Sequence, residues 1–270
     1  MWDKVQDAVS FIKGKTGVNP SYGIILGSGL GGFTDDMAIE FTLPYSEIPH
    51  FPVSTVAGHK GALVFGTIGD RQVVAMQGRF HYYEGYSMQE VTFPVRVMKQ
   101  LGVERLIVSN ASGGVNSYYH VGDIVVIYDH VNMMPEHPLR GNNDERFGPR
   151  FVNMSEPYSR DMIKKAKEIA LELDIDVKDG IYLALQGPTF ETLSEYRMVK
   201  VIGADCVGMS TVPEVIVARH MDMEVFGISV VTDMGNEENI NTVNHEEVLQ
   251  AARSAEPKVR RLIKELMIRY

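Results

Sequence analysis

Short runs of aliphatic and β-branched residues, separated by glycine and by helical patterns, recur along this 270-residue chain. Continuous apolar runs of this kind suit strands of a sheet that is covered on both faces. Their alternation with amphipathic patterns predicts an α/β fold, with a central mixed β-sheet flanked by helices in one domain over residues 1–270. The predicted buried strands are residues 22–26, 61–67, 72–77, 105–110, 124–129, 181–186 and 225–232.

Capping residues and prolines indicate where helices begin and end. Ser87 and Glu90 form an S-x-x-E capping box, which predicts a helix start. Pro94 should kink this helix or confine its start. The other predicted helices are an amphipathic N-terminal helix, one after Ser159, one over residues 193–202, and residues 245–269 as a kinked helix or two helices because of Pro257.

Charge and cysteine content narrow the possible partners and the compartment. The chain has 26 basic and 35 acidic side chains, a formal charge of −9, which argues against nucleic acid or an anionic membrane as a partner. Cys206 is the single cysteine, so no intramolecular disulfide can form and a reducing compartment is expected. With neither a signal peptide nor an apolar run of about 18 residues, the sequence predicts a cytoplasmic protein with a small substrate.

A glycine-rich loop, residues 27–32, follows the first predicted strand directly. Its glycines allow consecutive backbone N–H groups to converge on an anion, and Ser28 adds a hydroxyl donor. The loop also fits the dinucleotide pattern G-x-G-x-x-G, which requires a following helix. Residues 38–44 alternate like a strand instead, so a phosphate-sized anion site is favoured over a structural turn and over a dinucleotide site.

Two further segments can contribute to an anion site. Residues 111–114 (ASGG) read as a second glycine-flanked turn at the end of a strand. Arg79 and His81 lie two residues apart, so on an extended segment their side chains face the same side. Arginine binds phosphate through two parallel hydrogen bonds. The alternative is that Arg79 pairs with a surface carboxylate and that the aromatic residues around it belong to the core.

The sequence does not contain the motifs of a zinc site, a calcium-binding EF-hand or a serine hydrolase. His130 and His137 do not have zinc-ligand spacing, residues 233–238 lack the order of an EF-hand loop, and residues 208–212 lack the final glycine of a nucleophile elbow. His59 lies between glycines on a tight loop, where a histidine is more often incidental. The residues thus indicate a phosphate-binding enzyme without metal or redox cofactor, for which attack of phosphate on a sugar–base bond is one option. The aromatic residues available to stack on a flat ligand are Tyr83, Phe151 and Phe190.

Taken together, six motifs resemble the trimeric purine nucleoside phosphorylases, in the right order and over nearly the whole chain. The resemblance implies that phosphate cleaves a purine (deoxy)ribonucleoside to the free base and (deoxy)ribose 1-phosphate with inversion, and that phosphate is a co-substrate with no further cofactor. The motifs are residues 27–31 (GSGLG), 77–85 (QGRFHYYEG), 110–114 (NASGG), 187–192 (GPTFET), 208–220 (GMSTVPEVIVARH) and 244–248 (NHEEV).

The same resemblance implies a role for each matching residue. His81, Glu191, Asp233 and His245 would take part in the reaction. Phosphate would be held by Ser28, His59, Arg79, His81, the Ala111 backbone and Ser210. Tyr83 and Met209 would line the ribose, His245 would bond the 5′-hydroxyl, Phe190 would stack on the purine and Glu191 would accept its N1–H. Phe151 would close the sugar pocket of a neighbouring subunit, which implies a homotrimer with the irregular residues 130–156 at the interface.

Asp233 departs from the pattern of relatives that prefer 6-oxopurines, which carry asparagine there. An ionised aspartate only accepts hydrogen bonds, whereas a protonated one can donate to purine N7. An aspartate could also accept from the 6-amino group of adenine. Glu191 is therefore still expected to favour inosine and guanosine, while Asp233 admits adenosine. The alternatives are a 5′-methylthioadenosine phosphorylase, a non-catalytic nucleoside-binding protein and, more remotely, a nucleotide-dependent dehydrogenase. His245 favours a polar 5′-hydroxyl over a methylthio group.

Overall fold

The computed structural model describes residues 1–53, 55, 60–235 and 244–270. These residues form a mixed sheet flanked by helices, as the sequence predicts. The strands are β1 (Tyr22–Leu26), β2 (Ala38–Pro44), β3 (Ala62–Ile68), β4 (Arg71–Gln77), β5 (Arg105–Gly114), β6 (Ile124–Asn132), β7 (Val177–Ala184), β8 (Cys206–Gly208) and β9 (Glu224–Met234). The helices are α1 (Trp2–Lys15), α2 (Met88–Val91), α3 (Phe93–Leu101), α4 (Arg160–Glu172), α5 (Leu193–Ile202), α6 (Val212–His220) and α7 (His245–Arg269).

The sheet is open on one side and closed on the other. The strands follow the order β2-β3-β4-β1-β5-β8-β7-β6-β9, and β9 also pairs with β5. β1 lies between β4 and β5 and is parallel to both, whereas β2, β3 and β4 form an antiparallel edge. The pairing of β9 with both β6 and β5 closes five strands into a ring, so β5 belongs to the open sheet and to the closed part.

The two faces of the sheet are covered by different helices. Every residue of β1 is buried, because α1, α3 and α6 cover one face and α4 and α7 the other. In α1 the buried residues Val5, Val9 and Ile12 recur at helical spacing. This double cover explains why β1 is continuously apolar rather than alternating. None of the helices in the described residues is long and apolar enough to cross a bilayer.

Helix starts follow the predicted caps. The Ser87 hydroxyl accepts the N–H of Glu90, and the Glu90 carboxylate accepts the N–H of Ser87 at 2.8 Å. Pro94 confines a helix start, because a new helix, α3, begins at Phe93. The C-terminal segment is one continuous helix through Pro257, so the two-helix alternative is wrong. Buried residues on both sides of Pro257 pack α7 against the sheet and keep the helix continuous.

Two loop predictions need correction. Residues 111–114 are not a turn, because β5 continues through them and pairs with β9. Glycine and serine in this segment suggested a turn, but the cross-strand partner decides the conformation. The irregular stretch predicted from His130 begins only after Asn132, because β6 extends that far along β7.

Candidate active site

A cavity of about 540 Å³ opens beside the loop after β1, where the ends of several strands meet the starts of α6 and α7. The sequence-predicted residues that line it are Ser28, Arg79, His81, Tyr83, Ala111, Phe190, Glu191, Met209, Ser210, Asp233 and His245. The prediction for His59 lies outside the described residues. Phe151 lies elsewhere, with 89% of its surface exposed. Eleven predicted residues, distant in sequence, are thus brought to one cavity.

The crevice exists because β1 is shorter than its neighbour β5. β1 pairs with β5 only as far as Val108, whereas β5 continues along β9. Beyond Val108, β1 no longer pairs with β5. The backbone N–H and C=O groups on that edge of β5 can therefore bond to other partners. The Ser109 carbonyl on this edge accepts a hydrogen bond from Arg79 at 2.7 Å. Backbone groups two residues apart point to the same edge of a strand, so the Ala111 N–H points towards the cavity as well.

The loop after β1 packs closely on β5. The Gly27 N–H donates to the Ser109 hydroxyl at 3.1 Å. A Cβ atom at Gly27 would lie 2.6 Å from the Ser109 carbonyl oxygen and 2.7 Å from the Asn110 Cα, so only glycine fits. Gly29 has a φ of +75°, which glycine adopts without strain. These glycines hold Ser28 at the cavity wall.

No α-helix follows this loop. Gly31–Asp36 is a 3-10 turn, in which the Gly32 N–H donates to Glu256 of α7 at 2.6 Å, and β2 comes directly after it. A dinucleotide site would place the pyrophosphate at the N-terminus of a following helix. The prediction that the glycine pattern lacks this context is confirmed.

Arg79 is held by a buried carboxylate. Only 2% of Arg79 is exposed, and its Nε donates to Glu214 Oε1 of α6 at 3.0 Å. The alternative of a surface carboxylate partner is therefore wrong. Sequence analysis missed Glu214, since a glutamate in the first turn of a helix normally reads as a solvated residue. The pair keeps a guanidinium at the cavity in a fixed position.

His81 is oriented by Glu84, another residue that the sequence analysis left without a role. Glu84 Oε1 accepts the His81 N–H at 2.8 Å and lies 3.1 Å from His81 Nδ1. Burial would raise the pKa of Glu84, but hydrogen bonds from His81 and Thr55 lower it to about 2. Burial lowers the pKa of His81, while Glu84 opposes this shift. The His81 ring also stacks on Tyr83, with centroids 4.7 Å apart. The spacing H-x-x-E, in which Glu84 caps the turn begun by His81, was the available signal.

Ser210 is fixed by a buried polar network. Its hydroxyl lies 3.1 Å from the Thr211 hydroxyl, which accepts from Asn110 Nδ2 at 2.9 Å. The Ser229 hydroxyl donates to Asn110 Oδ1 at 2.6 Å. Thr211 has a φ of +72°, an unfavourable conformation for a β-branched residue. The hydrogen bonds that the Thr211 hydroxyl makes with Ser210 and Asn110 hold Thr211 in this conformation, directly before α6.

Two half-buried carboxyl groups, Glu191 and Asp233, form another wall, and the buried Tyr196 contacts Asp233 from outside the lining. The Tyr196 hydroxyl donates to Asp233 Oδ2 at 3.1 Å. Burial raises the pKa of both Glu191 and Asp233. Hydrogen bonds from Tyr196 and Thr232 partly oppose this shift at Asp233. Tyr196 was missed because its position on the inner face of α5 reads as an ordinary core residue.

The remaining predicted residues lie at the rim. Phe190 is 40% exposed, and Met209 follows β8. His245 is the first residue of α7, whose N-cap is Asn244: its Oδ1 accepts the Glu247 N–H at 2.9 Å. These residues can therefore contact a ligand that enters from solvent.

The cavity thus combines two sets of polar groups with different chemistry. One set offers hydrogen bonds and positive charge to an anion, and the other can accept or donate a proton at a ligand with ring N–H groups. Across the described parts of the chain, no three His, Cys, Asp or Glu side chains are grouped as metal ligands would be. The first set comprises Ser28, Arg79, His81, the Ala111 N–H and Ser210, and the second comprises Glu191 and Asp233.

Known proteins share this architecture. The model of the phosphorylase superfamily matches residues 21–268. Purine nucleoside phosphorylase 1 of Geobacillus stearothermophilus is 49% identical over 263 residues, which cover 97% of this chain and 96% of that protein. Isoform 2 of the Schistosoma mansoni purine nucleoside phosphorylase, solved in complex with cytosine and ribose-1-phosphate, has a TM-score of 0.95 at 42% sequence identity. The match covers 99% of this chain and 96% of that protein's chain. The S. mansoni purine nucleoside phosphorylase in complex with adenosine has a TM-score of 0.94 at 41% identity, with coverage of 99% and 97%.

The cavity, the fold and these matches define the class: the chain belongs to the phosphorylase superfamily. Within it, the chain groups with the purine nucleoside phosphorylases, which are pentosyltransferases. The family and the enzyme class predicted from the six motifs are confirmed.

The contact between Glu84 and His81 can be tested by titration. Replacing Glu84 with Gln removes a negative charge that favours the imidazolium, so the pKa of His81 should fall further below its ordinary value. An NMR titration of the histidine ring protons measures this shift. Glu90→Gln is the matched control, since Glu90 caps Ser87 instead and should leave the His81 titration unchanged. A His81 titration that stays in place or moves to higher pH in Glu84→Gln would show that Glu84 does not act on the ring.

Proposed function

We propose that this protein cleaves the N-glycosidic bond of purine ribonucleosides and deoxyribonucleosides with inorganic phosphate, giving the free base and (deoxy)ribose 1-phosphate. The observation that supports this most strongly is the cavity itself, in which potential anion-binding groups and two half-buried carboxyl groups lie within one volume of about 540 Å³. A nucleoside and a phosphate ion together need both sets of groups.

Phosphate would bind at the β5 edge. The Arg79 guanidinium, fixed by Glu214 and by the Ser109 carbonyl, supplies positive charge there. Hydroxyl groups of Ser28 and Ser210, the Ala111 N–H and His81 would complete the site. Because these donors are already held in place by the fold, little ordering cost remains when phosphate binds. His59 is proposed to lie near the phosphate on the strength of the sequence motif alone.

The reaction builds positive charge on the ribose and negative charge on the departing purine. Phosphate beside the sugar would stabilise the first charge and then form the new bond to C1′ from the face opposite the base, which gives inversion. Tyr83 and Met209 would contact the ribose, and His245 would bond its 5′-hydroxyl. The position of His245 at the rim, at the start of α7, supports this assignment.

The purine would lie between Phe190 and the carboxyl groups. Phe190 would stack on the base, and Glu191 would accept N1–H of a 6-oxopurine. Asp233 would donate to N7 when protonated, which stabilises the negative charge on the leaving base. Burial raises the pKa of Asp233 above its ordinary value, which favours the protonated form relative to an exposed aspartate. An ionised Asp233 would instead accept from the 6-amino group of adenine, so we propose inosine and guanosine as favoured substrates with adenosine admitted.

Phosphate would serve as co-substrate without a further cofactor, and the enzyme would act in the cytoplasm.

The experiment that tests the function is phosphate-dependent release of free base from four nucleosides: inosine, guanosine, adenosine and 5′-methylthioadenosine. Inosine and guanosine should be cleaved when phosphate is present and not when it is absent. Turnover of the methylthio substrate alone would make the protein a 5′-methylthioadenosine phosphorylase. Binding of nucleosides without release of any base would favour a non-catalytic nucleoside-binding protein.

Asp233→Asn tests the proposed base preference. An asparagine amide still donates to N7 but cannot carry a negative charge, so the ratio of kcat/KM for adenosine to that for inosine should fall at least about tenfold. Steady-state kinetics with both substrates measure the ratio. Asp179→Asn, which changes a half-exposed aspartate outside the cavity, is the control. An unchanged ratio in Asp233→Asn would exclude Asp233 as the residue that admits adenosine.

We further propose a homotrimer in which Phe151 of each subunit closes the sugar pocket of its neighbour. The 89% exposure of this large aromatic side chain, in the long segment after β6, supports a role at an interface.

Phe151→Ala should raise KM for inosine several-fold with little change in KM for phosphate, because only the nucleoside half of the site loses a contact. Sedimentation equilibrium should give three times the mass of the chain. A monomer with full activity would contradict both parts of the proposal.

A further inference from the structure

Five buried polar side chains form a continuous chain of hydrogen bonds that includes Ser210. The Ser112 hydroxyl lies 2.6 Å from the Ser229 hydroxyl, which donates to Asn110 Oδ1 at 2.6 Å. Asn110 Nδ2 donates to the Thr211 hydroxyl at 2.9 Å, and this hydroxyl lies 3.1 Å from that of Ser210. None of the five residues is more than 8% exposed. The chain joins β5, β9 and the segment between β8 and α6.

The amide of Asn110 sets the direction of these bonds. An amide nitrogen donates and does not accept, so the hydrogen between Asn110 and Thr211 belongs to Asn110. The hydrogen of the Thr211 hydroxyl is therefore free for another partner. Among the described residues, the acceptor within hydrogen-bond distance of it is the Ser210 hydroxyl. Because Thr211 is fully buried, a hydroxyl hydrogen without an acceptor would be costly there, and Thr211 donates to Ser210.

Ser210 consequently offers a ligand one group of fixed polarity. Its hydroxyl oxygen accepts from Thr211, so its own hydrogen points away from Thr211. Its backbone N–H is already used, since it donates to the buried Tyr182 hydroxyl at 3.3 Å. Ser210 lines the cavity, so the group that it presents to a ligand is the hydroxyl hydrogen. The matching ligand atom is an acceptor, such as an oxygen that carries no hydrogen.

The backbone of Thr211 indicates that its side chain is needed. Its φ of +72° suits glycine and is unfavourable for a β-branched residue. Unfavourable conformations of this kind persist where the surrounding structure fixes them, commonly at ligand sites. The two hydrogen bonds of the Thr211 hydroxyl are what a glycine could not provide.

We propose that Asn110 and Thr211 are positioning residues that make the Ser210 hydroxyl an obligatory hydrogen-bond donor, so that the cavity selects an oxyanion with an unprotonated oxygen at Ser210. This inference rests on the proposed function, in which that oxyanion is phosphate. It goes beyond that function by giving a role to Thr211, which lies outside the cavity lining, and to the amide that orients it. Bonds in such a chain polarise one another, which strengthens the last donor.

The first test compares Thr211→Val with Thr211→Ser. Valine keeps the size and branching of the side chain and removes the hydroxyl, whereas serine keeps the hydroxyl. Isothermal titration calorimetry with inorganic phosphate should give a Kd about tenfold higher for Thr211→Val, and within about twofold of the wild type for Thr211→Ser. KM for inosine should change less than about twofold in both variants, because the groups proposed to face the nucleoside are untouched.

Thr92→Val is the matched control for the loss of a buried threonine hydroxyl. Thr92 is also fully buried, and its hydroxyl donates to the Met88 carbonyl at 2.7 Å, outside the cavity lining. This variant should bind phosphate like the wild type. An equal loss of phosphate affinity in Thr92→Val and Thr211→Val would show that general destabilisation, and not the chain to Ser210, causes the loss.

A double-mutant cycle shows whether Thr211 acts through Ser210. In the Ser210→Ala background the hydroxyl that Thr211 orients is gone, so Thr211→Val should weaken phosphate binding by less than about twofold. If Thr211 only supported the fold, Thr211→Val would weaken phosphate binding by the same factor in both backgrounds, which would overturn the inference.

Neutron diffraction on crystals of the deuterated wild-type protein tests the direction of the chain without any substitution. The Asn110 amide should place a deuterium towards Thr211, and the Thr211 deuterium should point at the Ser210 oxygen. With phosphate bound, the Ser210 deuterium should point at a phosphate oxygen. An amide rotated by 180° would put Oδ1 beside Thr211 and reverse the chain, and this result would refute the proposed polarity.

The outcomes separate this inference from the proposed function. If the wild type cleaves inosine with phosphate and Thr211→Val keeps wild-type phosphate affinity, the inference fails and the function stands. A loss in Thr211→Ser as large as in Thr211→Val also contradicts the inference. If no nucleoside is cleaved, the proposed function fails, and the neutron map still decides the direction of the chain. The same map decides it if Thr211→Val does not fold.

Discussion

The buried ion pair between Arg79 and Glu214 joins the segments that form the side of the cavity where we propose that phosphate binds. Arg79 follows β4, Glu214 lies in the first turn of α6, and the Ser109 carbonyl of β5 accepts a second hydrogen bond from the guanidinium. Removing either partner of such a pair leaves an uncompensated buried charge, which typically costs about 3–5 kcal/mol. A well-packed apolar pair is often as stable, so stability alone does not explain a charge at this position. The proposed binding of phosphate, which requires a cation in a fixed position, would explain it.

The length difference between β1 and β5 gives this cation access to a ligand. If β1 continued beyond Leu26, it would pair with the β5 edge and occupy the backbone groups at Ser109 and Ala111. The glycine loop turns the chain away instead and returns it to the edge strand β2 through a short 3-10 turn. Ligand sites of α/β proteins commonly lie beyond the carboxyl ends of strands, and here the early end of one strand creates the space.

Much of the fold and most of the site could be predicted from the sequence. Buried strands were identified because double cover by helices makes them continuously apolar, as in β1. The capping box at Ser87 and the proline at position 94 act through local chemistry, which a sequence displays directly. The turn predicted at residues 111–114 was wrong because pairing with β9 overrides local preference.

The residues that the sequence analysis missed share one property. Glu84, Glu214 and Tyr196 each bond to another side chain of the site. The partners of Glu214 and Tyr196, which are Arg79 and Asp233, are distant from them in the sequence. Residue type and local pattern can identify a group that binds a ligand through a recognisable motif. They do not reveal a group whose role depends on which segments the fold brings together. Glu84 is the exception, since its partner is only three residues away.

The two sets of polar groups in the cavity are built on different kinds of structure. The set around Arg79 and Ser210 rests on strand ends and on a buried network around Asn110, where one altered atom disturbs several partners. Phe190, Glu191 and His245 instead lie in a loop and at the start of a helix, close to solvent. Under the proposed function, substitutions in these surface-proximal segments would change recognition of the base and leave the groups that bind phosphate in place. This division would let the enzyme acquire new nucleoside preferences through a few changes while it still cleaves the same bond.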